Sequence, residues 1–252
     1  MSEPHLAGSG YVAVWVAVGA APGGEPLSLD QRARRYRRAR ATAHRVGRQL
    51  VAAYTSCPPD RQAWERDARG RPLVVEPGGL HVSLSHAEAV VAAAVSRDAP
   101  VGVDVERLRP LADRGALART ALSEAELKAV DELPEARRDA QVLRFWTRKE
   151  AVAKALGTGL ATNLRGIVTT THGAVVSLPD ECGDISGWSL ADLVVQDEVI
   201  GSVTVRAPGV RVVTRTLALP ADADRTGPSG SAGHDPEFPG DGRGGRDLRN
   251  TP

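Results

Sequence analysis

Aromatic side chains are scarce, at 4% of the 252 residues against 42% for apolar residues as a whole, so a core must be built mainly from Val, Ala and Leu. Cysteine is scarcer still. Cys57 and Cys182 are too few for a disulfide framework or a thiolate metal cluster, which fits a reducing compartment. No apolar run approaches the ~18 residues of a membrane span, and no signal-peptide pattern opens the chain, so a cytoplasmic protein is expected. The net charge of +1 excludes a generally basic coat for nucleic acid. The length allows one large domain or two fused half-size units.

Residues 11–18 form a β-rich run that ends at Gly19 and the turn signal Pro22-Gly23-Gly24. From Asp30 to Tyr54, Ala33, Tyr36, Ala43, Val46, Leu50 and Tyr54 recur at helical spacing and predict one buried face. The other faces of this helix are rich in arginine, and no acidic residue lies between Arg32 and Arg48. Such a run of like charge costs stability unless an anion is bound. A turn at Arg69-Gly70-Arg71-Pro72 precedes three expected strands at 80–84, 89–96 and 100–106. Ser123-Glu124-Ala125-Glu126 opens a helix with a capping-box pattern, and a second helix runs from Pro134 to Gly157. Strand character resumes near 164–170, 174–178, 188–195 and 199–206. The order predicts an α+β fold, read as a pseudo-two-fold arrangement of two similar α+β halves, 1–106 and 107–220, joined near 107–122. Residues 221–252 carry seven Gly and four Pro with only Phe238 and Leu248 as large apolar residues, and are expected to be a disordered tail.

Two segments carry chemistry. In Val101-Gly102-Val103-Asp104-Val105-Glu106 the strand alternation puts the valines on one face and Gly102, Asp104 and Glu106 on the other. The Asp104 and Glu106 α-carbons are then ~6.6 Å apart, within range of one hard cation, although such a pair alone also suits a solvated strand face. In the helix ending at Gly157, Val142, Phe145, Trp146, Val152, Ala153 and Leu156 make an apolar stripe into which Lys149 points, so this lysine needs a partner. Trp146, Glu150 and Lys154 follow at four-residue steps, which projects a carboxylate and an ammonium together beside the stripe. Alone, Glu150 and Lys154 also fit a surface ion pair. Ser83-Leu84-Ser85-His86 places hydroxyl and imidazole groups at a strand end, where they can hold an anion or simply make a turn.

Taken together these segments resemble the larger, two-half type of 4'-phosphopantetheinyl transferase, the Sfp-type family that activates polyketide and nonribosomal peptide synthetases. Residues 101–106 are similar to that family's G-[IV]-D-[IV]-E motif. Trp146 to Ala151 with Lys154 match its W-x-x-K-E-A-x-x-K motif, and Gly159-Leu160 match the G-L that follows. The likeness spans roughly 11–206. Gly70-Arg71-Pro72 stands where the family commonly has Gly-Lys-Pro, and Ser83 and Ala87 stand where it has Asn and Ser.

The resemblance implies a monomer with coenzyme A in a cleft between the halves and magnesium held by Asp104, Glu106 and Glu150. It implies Glu150 as general base and Lys154 against the leaving phosphate. Arg34, Arg45 and Arg71, with Ser85 and His86 nearby, would bind the coenzyme. An acyl or peptidyl carrier protein would be the acceptor, docking near Arg107, Arg109 and Leu117. No membrane or nucleic-acid partner is expected. Two other classes compete with this reading: a nucleic-acid module built on the arginine helix, and a magnesium pyrophosphohydrolase using the same acids. In the transferase reading, Arg45→Ala raises the Michaelis constant for coenzyme A far more than for its analogue lacking the 3'-phosphate; equal losses for the two would move Arg45 out of the site.

Overall fold

The computed structural model describes residues 10–19, 28–158, 162–195 and 198–219. The expected 221–252 tail and Gly159-Leu160 lie outside them. The described residues form a mixed α+β structure with four α-helices. Strand β1 (Tyr11–Val18) lies between β5 (Val90–Ser96), antiparallel to it, and β11 (Arg211–Ala218), parallel to it, and β4 (His81–Ala87) completes this four-stranded sheet beside β5. A second, antiparallel sheet has the order β6 (Val101–Arg107), β10 (Val199–Val205), β9 (Ser189–Asp192). Two small ribbons pair β2 (Ala63–Arg66) with β3 (Pro72–Glu76), and β7 (Val168–Thr169) with β8 (Val175–Ser177).

Strand alternation sorts the apolar residues into two layers. Val12, Val14 and Val16 of β1 and Ala92 and Ala94 of β5 pack with Val101, Val103 and Val105 of β6 and Val203 and Val205 of β10, joining the two sheets. Ala13, Ala17, Val91, Ala93 and Val95 face the other way, onto helix α1 (Leu29–Thr55). The main layers are thus dominated by Val and Ala, as the aromatic shortage requires. The sheets exchange strands across the expected division at 106/107: β6 precedes it yet pairs with β10, and β11 follows it yet pairs with β1.

Helix α1 departs from its expected pattern. Ala43, Val46, Leu50 and Tyr54 are buried, but Ala33 is exposed and Tyr36 is 54% exposed, because the sheet covers only the C-terminal part of this 27-residue helix. The segment expected merely to join two halves contains helix α2 (Arg114–Ala121), capped by Asp113. Helix α3 (Glu124–Asp131) has the expected Ser123–Glu126 capping box. Helix α4 (Glu135–Leu156) follows Pro134 and ends on Gly157 at φ 71°, a left-handed position that favours glycine.

Two cations of α4 are buried, and each is fully engaged. Arg148 is 1% exposed, pairs with both Asp192 oxygens at 2.9 and 2.6 Å, and also donates to the Thr170 and Thr171 carbonyls. Lys149 is completely buried; its Nζ lies 2.5 Å from Glu126 Oε2 and donates to the Ala121 and Leu164 carbonyls. Burial lowers the Lys149 pKa, and the Glu126 charge opposes that shift. Glu126 in turn accepts from the Ser123 and Thr169 amides, so one pair ties α2, α3 and α4 to β7. Lys149→Met strands a buried carboxylate and should cost about 3–5 kcal/mol in urea unfolding, part of which returns when Glu126→Gln is added. A single variant as stable as wild type would show that the pair does not support the fold.

Candidate active site

The site forms where α4 crosses β6, and its geometry starts from a missing side chain. A Cβ on Gly102 would stand 1.8 Å from the Ala151 carbonyl oxygen and 2.7 Å from the Ala155 amide nitrogen, so the helix backbone rests directly on the strand. That contact brings the two sequence motifs together. Lys154 Nζ reaches Asp104 Oδ1 at 2.7 Å and the Val103 carbonyl at 3.1 Å. Asp104 is 6% exposed, and its Oδ1 also accepts the Ser85 hydroxyl proton at 2.7 Å. Its Oδ2 is buried with no hydrogen-bond partner.

Glu150, half-buried on the same helix, has its pKa pushed up to about 7. Burial is the main cause and the Asp104 charge adds to it, while Lys154 acts in the opposite direction. Two carboxylates and one ammonium therefore share a local field. Glu106, two residues beyond Asp104 on β6, is half-buried and engaged. Among the described residues no three His, Cys, Asp or Glu side chains gather into a group that could hold a metal ion. The Asp104 charge is felt at Glu150, and the unpartnered Asp104 Oδ2 is nevertheless a fitting hard donor for a hard cation.

Around this centre the basic residues expected from sequence are distributed unequally. Arg71, immediately before β3, packs its guanidinium against the Gly157 cap of α4, while Arg69 of the same hairpin donates to the Gly157 carbonyl at 3.1 Å. The hairpin thus meets the end of the helix that carries Glu150 and Lys154. His86, at the end of β4, makes an edge contact with Tyr36, ring centroids 4.8 Å apart. Arg45 is exposed on α1, and Arg34 is exposed further towards the helix start in an ion pair with Asp30 at 2.9 Å. Ser85 is buried and turned towards Asp104. Sequence reasoning passed over His44, which accepts a hydrogen bond from Arg66 at its Nε2, 2.7 Å away, since arginine has no acceptor to offer. Its pKa is lowered to about 4, by burial first and then by Arg66, Arg40, Arg48 and His86.

One expected surface needs correction. Arg107 is only 7% exposed, pairs with Glu198 at 2.5 Å and donates to the Gly19 carbonyl at 2.9 Å, so it holds the end of β6 and is not an open docking contact. Arg109 and Leu117 are half-buried, and Leu117 packs within the α2–α3–α4 cluster.

Paired carboxylates with a lysine, flanked by guanidinium groups, are the equipment of an enzyme that handles phosphorylated substrates. Comparison with known proteins specifies the class. The 4'-phosphopantetheinyl transferase superfamily matches residues 100–200, which include β6 and the whole of α4. The chain is 30% identical over 195 residues to the 4'-phosphopantetheinyl transferase HetI of Nostoc sp., covering 73% of this chain and 80% of that protein. It is 29% identical over 136 residues to the 4'-phosphopantetheinyl transferase psf-1 of Bacillus pumilus, covering 53% and 57% of the two chains. It is 31% identical over 107 residues to the 4'-phosphopantetheinyl transferase AcpT of Escherichia coli K12, covering 42% and 54%. The chain belongs to the 4'-phosphopantetheinyl transferase family, in its larger Sfp-type branch, and is an enzyme of that class.

The crossing of α4 and β6 yields a prediction. Gly102→Ala must push the helix off the strand, and a displacement of ~1 Å at a catalytic group costs about 10²-fold in rate. Gly187→Ala, where an added Cβ meets nothing within 4 Å, serves as the control and should retain wild-type turnover. Equal activity of the two variants would contradict the contact.

Proposed function

We propose that the chain transfers 4'-phosphopantetheine from coenzyme A to a serine of an acyl or peptidyl carrier protein in a magnesium-dependent reaction, releasing 3',5'-ADP. The observation that carries this reading is the joining of the two motifs through Lys154 and Asp104, with Glu150 alongside. In this reading the protein works as a cytoplasmic monomer serving polyketide or nonribosomal peptide synthetases. The two α+β halves supply different parts, residues 1–106 most of the coenzyme contacts and two cation ligands, residues 107–220 the W-x-x-K-E-A helix, with 221–252 as a tail.

Asp104, Glu106 and Glu150 would hold magnesium. When bound, the cation neutralises charge on the diphosphate under attack. The rest is done by side chains. Glu150 takes the proton from the carrier serine hydroxyl as that oxygen attacks the β-phosphorus. Lys154 stands beside Asp104 and offsets the charge that collects on the departing phosphate as the bond to 3',5'-ADP breaks. Arg45, Arg71 and His86 hold the 3'-phosphate end. Arg34 joins them by exchanging Asp30 for phosphate, which costs little because an exposed pair contributes only about 0–1 kcal/mol. Ser85, the remaining expected coenzyme contact, is already bonded to Asp104 in the free protein.

The test is the intact mass of apo carrier proteins incubated with the enzyme, magnesium and coenzyme A. One added phosphopantetheine arm is expected, and none in excess chelator. Glu150→Gln should fold, bind coenzyme A and lose at least ~10²-fold in turnover. Hydrolysis of coenzyme A with no mass gain on any carrier would favour a pyrophosphohydrolase. Turnover that survives in Glu150→Gln at every magnesium concentration would remove Glu150 from the mechanism.

A further inference from the structure

Strands β4 and β6 run side by side where the two sheets meet, yet they belong to different sheets. What spans this seam is a pair of serines. Ser83 Oγ accepts the Val103 amide proton at 3.1 Å and Ser85 Oγ accepts that of Val105 at 3.3 Å. Both pairs are separated by 20 residues, so the strands run parallel in register, and both serines are only 5% exposed. The two hydroxyls occupy one face of β4, two residues apart, as the strand period demands.

Proton bookkeeping then separates their roles. A serine hydroxyl carries one proton and two lone pairs. Ser85 uses a lone pair for Val105 N–H, and its single proton goes to Asp104 Oδ1 at 2.7 Å. Lys154 donates to that same oxygen. Both side-chain donors to Asp104 thus converge on Oδ1, while Oδ2 stays buried and unpartnered. A buried acceptor left unpaired is costly, and an arriving cation would relieve that cost.

We infer that Ser85 is a positioning residue for Asp104, fixing one carboxylate oxygen from below so that the other alone is presented to the cation. This rests on the proposal that Asp104 holds magnesium. Ser83 makes the matching seam bond without touching Asp104, so it separates support of the strand from orientation of the carboxylate.

Mn2+ titrated into the full chain and followed by the electron paramagnetic resonance of the free ion, with and without coenzyme A, tests the role apart from activity. Ser85→Ala should weaken Mn2+ binding ~10–100-fold, the usual effect of losing a group that orients a metal ligand. Ser85→Thr, which keeps the hydroxyl, should recover most of that loss, and Ser83→Ala should bind Mn2+ like wild type. Coenzyme A affinity without cation, read by calorimetry, should be the same in Ser85→Ala and wild type. If the alanine variant does not fold, Ser85→Cys keeps a weaker donor and should fall between wild type and the expected alanine loss. Unchanged Mn2+ binding in Ser85→Ala or, where that does not fold, Ser85→Cys overturns the inference and leaves the magnesium reading standing. So does weakened cation-free coenzyme binding with Mn2+ binding intact, which would make Ser85 a coenzyme contact. A wild-type protein that takes up no Mn2+ in either titration removes the magnesium reading and this role together.

Discussion

The contact on which the rest of the site depends is backbone against backbone, the rest of α4 on β6 at Gly102. Any side chain there would overlap the Ala151 carbonyl, so the glycine is a condition for the two elements to meet at that distance. Because strand side chains alternate, the residue that shares this face two positions later is Asp104, and it faces the helix. Because helix side chains recur every three or four residues, Glu150 and Lys154 flank Ala151 and stand beside that carboxylate. One close approach therefore converts two separate stretches of sequence into one constellation, and the Lys154–Asp104 pair is its visible result.

Holding a helix in that place needs more than apolar packing. Val142, Phe145, Val152 and Ala153 bury one stripe of α4, but Arg148 and Lys149 are buried as well, each at the cost of desolvating a cation. Both are repaid by specific partners, Arg148 by Asp192 and Lys149 by Glu126. Apolar side chains would tolerate a small slide of the helix, whereas the short bonds of two buried cations, Lys149 to the buried Glu126 and Arg148 to the exposed Asp192, do not. The two ion pairs fix the height and rotation of α4, and with them the aim of Glu150, which immediately follows Lys149.

Much of this was legible in the sequence, for identifiable reasons. Strong periodicity with clear end signals located α4 between Pro134 and Gly157, α3 after its Ser123 capping box, the strand at 11–18 and, one residue early at each end, the strand expected at 100–106. A lysine pointing into an apolar stripe announced a buried partner, but its identity as Glu126 depends on how α3 folds back, which spacing does not encode. The ribbon β2–β3 and helix α2 were missed because short elements with mixed polarity have little periodicity to detect. Burial of Tyr36 and Ala33 was wrongly expected because a helical stripe is evidence of a face, while the length of sheet available to cover it is a tertiary fact. Ser85 reads as a ligand in a one-dimensional motif. Only the seam between β4 and β6 reveals that its hydroxyl turns to Asp104.

The arginine helix gains its meaning from the same geometry. Along α1 the arginines far outnumber Asp30, the one acid of the helix, and at His44 burial first, then Arg66, Arg40, Arg48 and His86, drive the imidazole to its neutral form. A surface that expels a proton from a histidine is one that an anion would stabilise. An extended basic face would suit a nucleic-acid backbone equally well, but the basic residues do not stay on the helix. They continue through the β2–β3 hairpin, whose Arg69 bonds the last turn of α4 and whose Arg71 packs on Gly157. The positive surface therefore ends at the helix that carries Glu150 and Lys154. A ligand with phosphate at one end and a reactive diphosphate at the other would use both parts at once, whereas a nucleic-acid strand would have no use for the buried carboxylate at the seam.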